Sequence, residues 1–262
     1  MIKQVNEQNL QYIIAVDLDE TLLNSQREVT NYTIDVLKEF KKRGFLIAIS
    51  STRGYSSCKK IAKQINADYV CCQSGNMIVD KAGNVIYKNG FSQQEVTHFI
   101  ETFKPYTNEF YIDSDNYLYS SINSEFSKSW GAKYCQLEDL SKISAYKMCI
   151  VYEPHYIHKI QEYCQEKGYV YREMRTDPLM LITPANSDKF YALEKLINIL
   201  NTDLNHLIVF GDDNSDTLSI QKAKYGVAVQ NARPEVLSQA KFVAKSNNQD
   251  GVAHFLQDTF GL

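Results

Sequence analysis

The chain has 262 residues, 44% hydrophobic and 23% charged, with a formal net charge of −3. At roughly 150 residues per domain this allows one large or two moderate domains of an ordinary soluble protein. No block of single-sign charge is present, which excludes a general attraction for nucleic acid or anionic membrane, and no run approaches the ~18 apolar residues a membrane-crossing helix needs. The six cysteines form no C-x-x-C pair and no zinc spacing, and the polar start MIKQVNEQNL lacks a signal-peptide core. The expectation is a cytoplasmic protein with reduced thiols.

Residues 12–16, YIIAV, form a short apolar run that predicts a buried strand ending abruptly in acid. The spacing of Ile34, Leu37 and Phe40 predicts a helix over 30–43, with Gly44 as its stop. A buried strand over 45–49, a helix over 55–65 and a strand over 69–72 follow. This alternation predicts a parallel sheet with helices on both faces. The middle departs from it. Segments 75–79 and 85–87 read as a hairpin around Lys81–Asn84, and a helix over 92–104 stops before Pro105. Strands over 109–112 and 117–121 flank the polar turn 113–116. A strand over 147–152, a helix over 154–167 ended by Gly168, and strands over 169–174 and 179–182 complete an α+β module. The alternation then returns: helix 189–200, strand 207–210, helix 216–223, strand 226–229, helix 234–240 and strand 242–244. The predicted organisation is an α/β core made of residues 1–82 and 186–262, interrupted by a cap at 83–185.

Two acidic segments follow strands of this core. Asp17-Leu-Asp19-Glu-Thr21 comes directly after the first. Ligands of a parallel sheet bind beyond the carboxyl ends of its strands, and two carboxylates spaced i, i+2 there can divide the work. Asp17 can attack phosphorus, while Asp19 can protonate the leaving oxygen and later activate water. Gly211-Asp212-Asp213-Asn214-Ser215-Asp216 follows strand 207–210. Mg²⁺ takes carboxylate, water and phosphate oxygens, and Asp212 is the natural additional ligand, with Asp216 either a ligand or a support. A solvated turn or an acidic helix start would explain either segment alone. Two acidic strand ends in one sheet favour a site. Ser50-Ser-Thr-Arg53 follows a third strand, and its hydroxyl and amides could hold phosphate oxygens, although a helix cap would read the same way. Lys189 opens a helix against its dipole, which neutralisation of a carboxylate and a phosphate would justify.

These four segments resemble, in order and context, the haloacid dehalogenase superfamily of phosphohydrolases, and more narrowly its Cof-type branch with a large α/β (C2, type IIB) cap. The endings Val227-Ala-Val-Gln-Asn-Ala232 and Asn248-Gln-Asp-Gly-Val252 are similar to that branch too. The 138 residues from Ser51 to Lys189 (189 − 51) accommodate the cap. The resemblance implies a Rossmann-like, mostly parallel sheet core with an inserted α+β cap domain that sets specificity. It implies Asp17 as nucleophile, Asp19 as general acid/base and Lys189 as the charge-neutralising lysine. It places phosphate contacts at Leu18, Ser51, Thr52, Lys189 and Ser215. It also implies Mg²⁺ held by Asp17, Asp19 through its backbone carbonyl, Asp212 and Asp216. Thr52, Phe190, Ser215 and Ser74 depart from the usual residues at their positions, where Gly, Gly, Asn and Asn are common.

The implied activity is Mg²⁺-dependent hydrolysis of small phosphorylated metabolites through an aspartyl-phosphate. No cap motif selects among sugar phosphates, flavin mononucleotide, pyridoxal phosphate and nucleotides. A phosphotransferase or mutase on the same core, and a non-catalytic phosphometabolite sensor, are the alternatives. His155-x-x-His158 is read as part of a solvated cap helix, and Cys71-Cys72 as packing. Tyr117, Tyr119, Trp130, Arg172 and Arg175 are read first as ordinary cap residues.

Overall fold

The IIAV run forms β1 (Ile13–Val16), and all four of its side chains are fully buried, as a strand covered on both faces requires. The computed structural model describes residues 11–114, 117–174 and 178–261 and places β1 inside an eight-stranded sheet. Thr30 caps α1 (Asn31–Lys42), its hydroxyl accepting from the Thr33 amide at 3.1 Å, and Ile34, Val36, Leu37 and Phe40 form the buried face. The alternation continues through β2 (Leu46–Ser50), α2 (Tyr55–Gln64) and β3 (Tyr69–Cys72). The hairpin follows as β4 (Met77–Asp80) and β5 (Val85–Lys88).

The middle segment contains α3 (Gln93–Phe103), β6 (Phe110–Asp113), β7 (Leu118–Ser120), α4 (Glu125–Ser129), β8 (Lys133–Tyr134) and α5 (Leu137–Leu140). Then come β9 (Lys147–Val151), α6 (Ile157–Lys167), β10 (Val170–Glu173) and β11 (Leu179–Thr183). The final third contains α7 (Lys189–Ile199), β12 (Leu207–Gly211), α8 (Thr217–Lys222), β13 (Tyr225–Val229), α9 (Pro234–Leu237), β14 (Phe242–Ala244) and α10 (Gly251–Phe260). The elements α4, β8, α5 and α10 were not foreseen. The polar turn expected over 113–116 includes residues 115–116, and Arg175 is also outside the described residues.

The chain divides into two compact units, one running up to Tyr87 and resuming at Asp188, the other Lys88–Ser187. The limits expected from the sequence are 82/83 and 185/186. The first unit holds the sheet ordered β14-β13-β12-β1-β2-β3-β4-β5, parallel from β14 through β3, with β4 antiparallel to β3. Ile13, Ala15, Leu193, Leu196, Val209 and Ile220 belong to one core cluster of this unit. The second unit holds a six-stranded sheet ordered β10-β11-β9-β6-β7-β8. Its α3 and α6 bury Phe99, Phe103, Ile160 and Cys164 in one cluster with Phe110, Met148 and Met180. No helix among the described residues is long and apolar enough to cross a membrane.

Candidate active site

Val16 stands opposite Phe210 on one side and Ile49 on the other. The carboxyl ends of β12, β1 and β2 are therefore level, and Asp17, Asp212 and Ser51 leave the sheet along one edge. The Asp17 amide donates to the Phe210 carbonyl at 3.1 Å, which ties the first two ends directly. The strand order reverses between β1 and β12, and such a switch point opens a crevice for ligands.

Beyond Asp17 the chain makes a tight kinked turn over Leu18–Leu22, closed by the Leu23 amide on the Leu18 carbonyl at 2.8 Å. Glu20 is left-handed here, at φ 54°. Amide side chains from the far end of the sequence hold this turn in place. Asn231 Nδ2 donates to the Glu20 carbonyl at 2.7 Å, and Asn247 Nδ2 to the Leu23 carbonyl at 2.9 Å. The Asn247 amide donates to Asn231 Oδ1 at 2.9 Å, linking the two clamps. Asn248 Oδ1 accepts from the Ser25 amide at 2.9 Å. In the sequence Asn231 and Asn248 stand out only within the terminal likeness, and Asn247 does not stand out at all. Polar amides placed just past two late strands were the available signal.

Lys189 is the first residue of α7, whose N-cap Asp188 accepts from the Phe190 amide at 2.7 Å. The lysine is buried. Its Nζ donates to Asp17 Oδ1 at 2.7 Å and to Asp216 Oδ1 at 2.8 Å. The other Asp216 oxygen accepts from the amides of Asp212 (3.3 Å) and Asp213 (3.2 Å). Asp216 thus braces the lysine and the acidic loop together. A Cβ on Gly211 would fall 2.4 Å from the Asp216 side chain, so this approach needs glycine there. Thr21 Oγ1 donates to Asp212 Oδ1 at 2.7 Å, joining the two acidic segments.

Burial is the main electrostatic cause at this edge. It pushes the Asp17 carboxyl up to about 7, opposed by Lys189 and assisted by Asp216 and Asp212. It pushes Asp212 up to about 6, against the Thr21 hydrogen bond. Burial acts downward on Lys189, but Asp216 and then Asp17 outweigh it and hold the ammonium well above its usual range. The lysine is a fixed cation. The carboxylates around it are short of positive charge.

A cavity of about 220 Å³ opens here, lined by Asp17, Asp19, Thr52, Lys189, Asp212 and Ser215, with Glu20, Asp213 and Arg233. Arg233 pairs with Asp213 at 2.5 Å. Of the expected phosphate contacts, Thr52, Lys189 and Ser215 line the cavity, whereas Leu18 and Ser51 are buried beside it. Ser51 donates its amide to the Cys71 carbonyl at 2.9 Å. Of the expected metal set, Asp17, Asp212 and Asp216 have ligand oxygens within 4.8 Å of one another. Asp19 was expected to offer its backbone carbonyl, and its side chain is held by Arg53, through Nε at 2.8 Å and Nη2 at 2.5 Å. The lining carries five carboxylates against two cations, so a phosphate could enter only with further positive charge. An all-oxygen donor set with a surplus of carboxylate fits Mg²⁺.

Other reactive residue types are accounted for elsewhere. Burial pushes the Cys58 and Cys71 thiols up, to about 11 and about 12, so neither supplies a thiolate near neutral pH. His155 lies beside the Tyr156 ring, and His158 is within 3.3 Å of Gln161 on α6.

The family model for haloacid dehalogenase-like hydrolases matches residues 14–256. Among individual proteins, YxeH of Bacillus subtilis (strain 168) is 27% identical, the match covering 94% of this chain and 97% of that protein. The 5-amino-6-(5-phospho-D-ribitylamino)uracil phosphatase YwtE of the same organism is 22% identical, the match covering 93% of this chain and 96% of that protein. Among solved structures, the HAD subclass IIB sugar phosphatase BT4131 superposes with a TM-score of 0.75 at 16% identity, over 96% of this chain and 100% of that one. With its mostly parallel core, its inserted α+β unit and its acidic edge, the chain belongs to the haloacid dehalogenase-like hydrolases.

Proposed function

We propose that the chain is a phosphatase of small phosphorylated metabolites, with Asp17 as its nucleophile. The observation that carries this reading is the buried Asp17 carboxylate at the end of β1, held by Lys189 at 2.7 Å beside Asp212 in an acid-rich cavity. A carboxylate is a weak nucleophile unless it is fixed, ionised and close to its target. Lys189 fixes it and favours its ionised form. Asp17 attacks phosphorus, and the bond from phosphorus to the leaving oxygen breaks as Asp19 gives that oxygen a proton. Asp19 then takes a proton from water, whose oxygen displaces Asp17 from phosphorus and releases phosphate. Lys189 and the Thr52 and Ser215 hydroxyls face the phosphoryl oxygens during both steps. Asp17, Asp212 and the Asp19 carbonyl, with Asp216 behind them, would hold Mg²⁺, which supplies the charge neutralisation that phosphoryl transfer needs. On this reading the inserted unit is the specificity module, and its side chains select among metabolites.

The test is release of inorganic phosphate from p-nitrophenyl phosphate and a panel of phosphorylated metabolites, with Mg²⁺ and no added acceptor. Asp17→Asn retains an oxygen to accept from Lys189, so it should keep the fold and lose turnover by at least about a thousandfold. Undiminished phosphate release by that variant would overturn the nucleophile, and no release by the wild type from any ester would overturn the hydrolase.

A further inference from the structure

We infer that Arg53 is a positioning residue for the acid/base Asp19, an inference that rests on the mechanism proposed above. The Asp19 side chain is 53% exposed and stands at the rim of the cavity. Its backbone is extended within a kinked turn, next to the left-handed Glu20. A short, half-exposed carboxylate in such a place has several rotamers open to it. Arg53 removes that freedom, because its Nε and Nη2 reach the two different oxygens of the carboxylate. This is the planar two-point fork that only arginine offers, and it fixes orientation as well as distance.

Arg53 is itself anchored. Its amide donates to Ser51 Oγ at 3.2 Å, and its carbonyl accepts from the Gln73 amide at 2.8 Å. Gln73 and Ser74 are both left-handed, and Gly75 after them lies against the Asp188 carbonyl at the start of α7. The loop after β2 therefore aims Asp19 with a side chain while its backbone touches the turn behind Lys189. Asp19 is left with further lone-pair positions on each oxygen, so a fork on one edge does not prevent it from carrying and donating a proton on another.

The prediction follows from leaving-group chemistry. Departure of an alkoxide requires the proton that Asp19 supplies, whereas p-nitrophenolate departs without one. kcat/KM covers the steps up to the first departure, so it isolates that proton transfer. General acid catalysis contributes about 10²- to 10⁴-fold, and loss of its alignment should forfeit a substantial part of it. Arg53→Met should lower kcat/KM for an alkyl phosphomonoester at least about tenfold more than for p-nitrophenyl phosphate. Arg53→Lys, which keeps the charge but not the fork, should show the same bias to a smaller extent. Asp19→Asn should show it fully, and adding Arg53→Met to Asp19→Asn should leave the ratio between the two esters unchanged. Equal slowing of both esters by Arg53→Met and by Arg53→Lys would overturn the positioning role and leave a structural one. Absence of the bias in Asp19→Asn, or full activity of Asp17→Asn, would instead overturn the underlying mechanism.

Discussion

At the scale of single residues, Lys189 decides more than any other side chain described. It lies between two buried carboxylates, and each of the three is less than 10% exposed. Replacing it with methionine strands those carboxylates without a cation. Breaking a buried pair in this way costs about 3–5 kcal/mol when the partner stays charged. The cost should depend on pH. The folded chain already holds Asp17 at about 7, above its ordinary 3.8, so folding disfavours the ionised form and stability falls as pH rises between those values. Without the lysine that slope should steepen. Urea unfolding should show Lys189→Met losing about 3 kcal/mol at pH 8 and much less at pH 5, where the fold can keep the acid protonated. An equal loss at both pH values would contradict the assignment. The sequence exposed this lysine through its awkward place at a helix start. It gave no sign of Arg53 as a partner of Asp19, because 34 residues separate them in the chain.

At the scale of elements, the strands that end at the site were the most legible. Runs such as IIAV and LIVFG are apolar throughout, and acid or hydroxyl residues follow them at once. The pieces α4, β8 and α5 have five residues or fewer, too short for any periodicity to show. The C-terminal α10 was legible in principle, since Val252, Ala253 and Leu256 form one buried face. The turn between β3 and β4 matters for a different reason. Ser74, at the position where the sequence resemblance leads one to expect Asn, adopts φ 58°, a conformation Asn tolerates better. Gly75 follows at φ 88°, where a Cβ would lie 2.0 Å from the Asp188 carbonyl oxygen. Gly75→Ala should therefore cost more than the ~1–2 kcal/mol of left-handed strain, and should slow turnover by displacing Lys189. Gly44→Ala is the control, since that site has φ 92° with nothing within 4 Å, and it should show the strain alone. Similar melting temperatures and rates for the two variants would show that the turn does not brace α7. Asn247→Ala should cost about 1–2 kcal/mol by leaving the buried Leu23 carbonyl without its donor, as measured by the shift in urea midpoint.

At the scale of the whole molecule, the surplus of acid at one sheet edge should make stability depend on a divalent cation. A ligand that binds only the folded state stabilises it by about 2.7 kcal/mol at a hundredfold excess over its Kd. Mg²⁺ should raise the melting temperature of the wild type, and NaCl at matched ionic strength should not. Asp212→Asn should abolish the increase. A wild type indifferent to Mg²⁺ would remove the metal from the proposal without touching Asp17 and Lys189. The sequence by itself determined the alternating core, the inserted module and the chemistry available at each strand end, because apolar runs, breaks and acids are local properties of the chain. Only the tertiary structure decided which groups meet. Level registers of β12, β1 and β2 bring Asp17 to Asp212, the turn at Gly75 seats Lys189, and the fork from Arg53 orients Asp19. Those are long-range contacts, fixed by how strands pair and helices pack, and no local pattern encodes them.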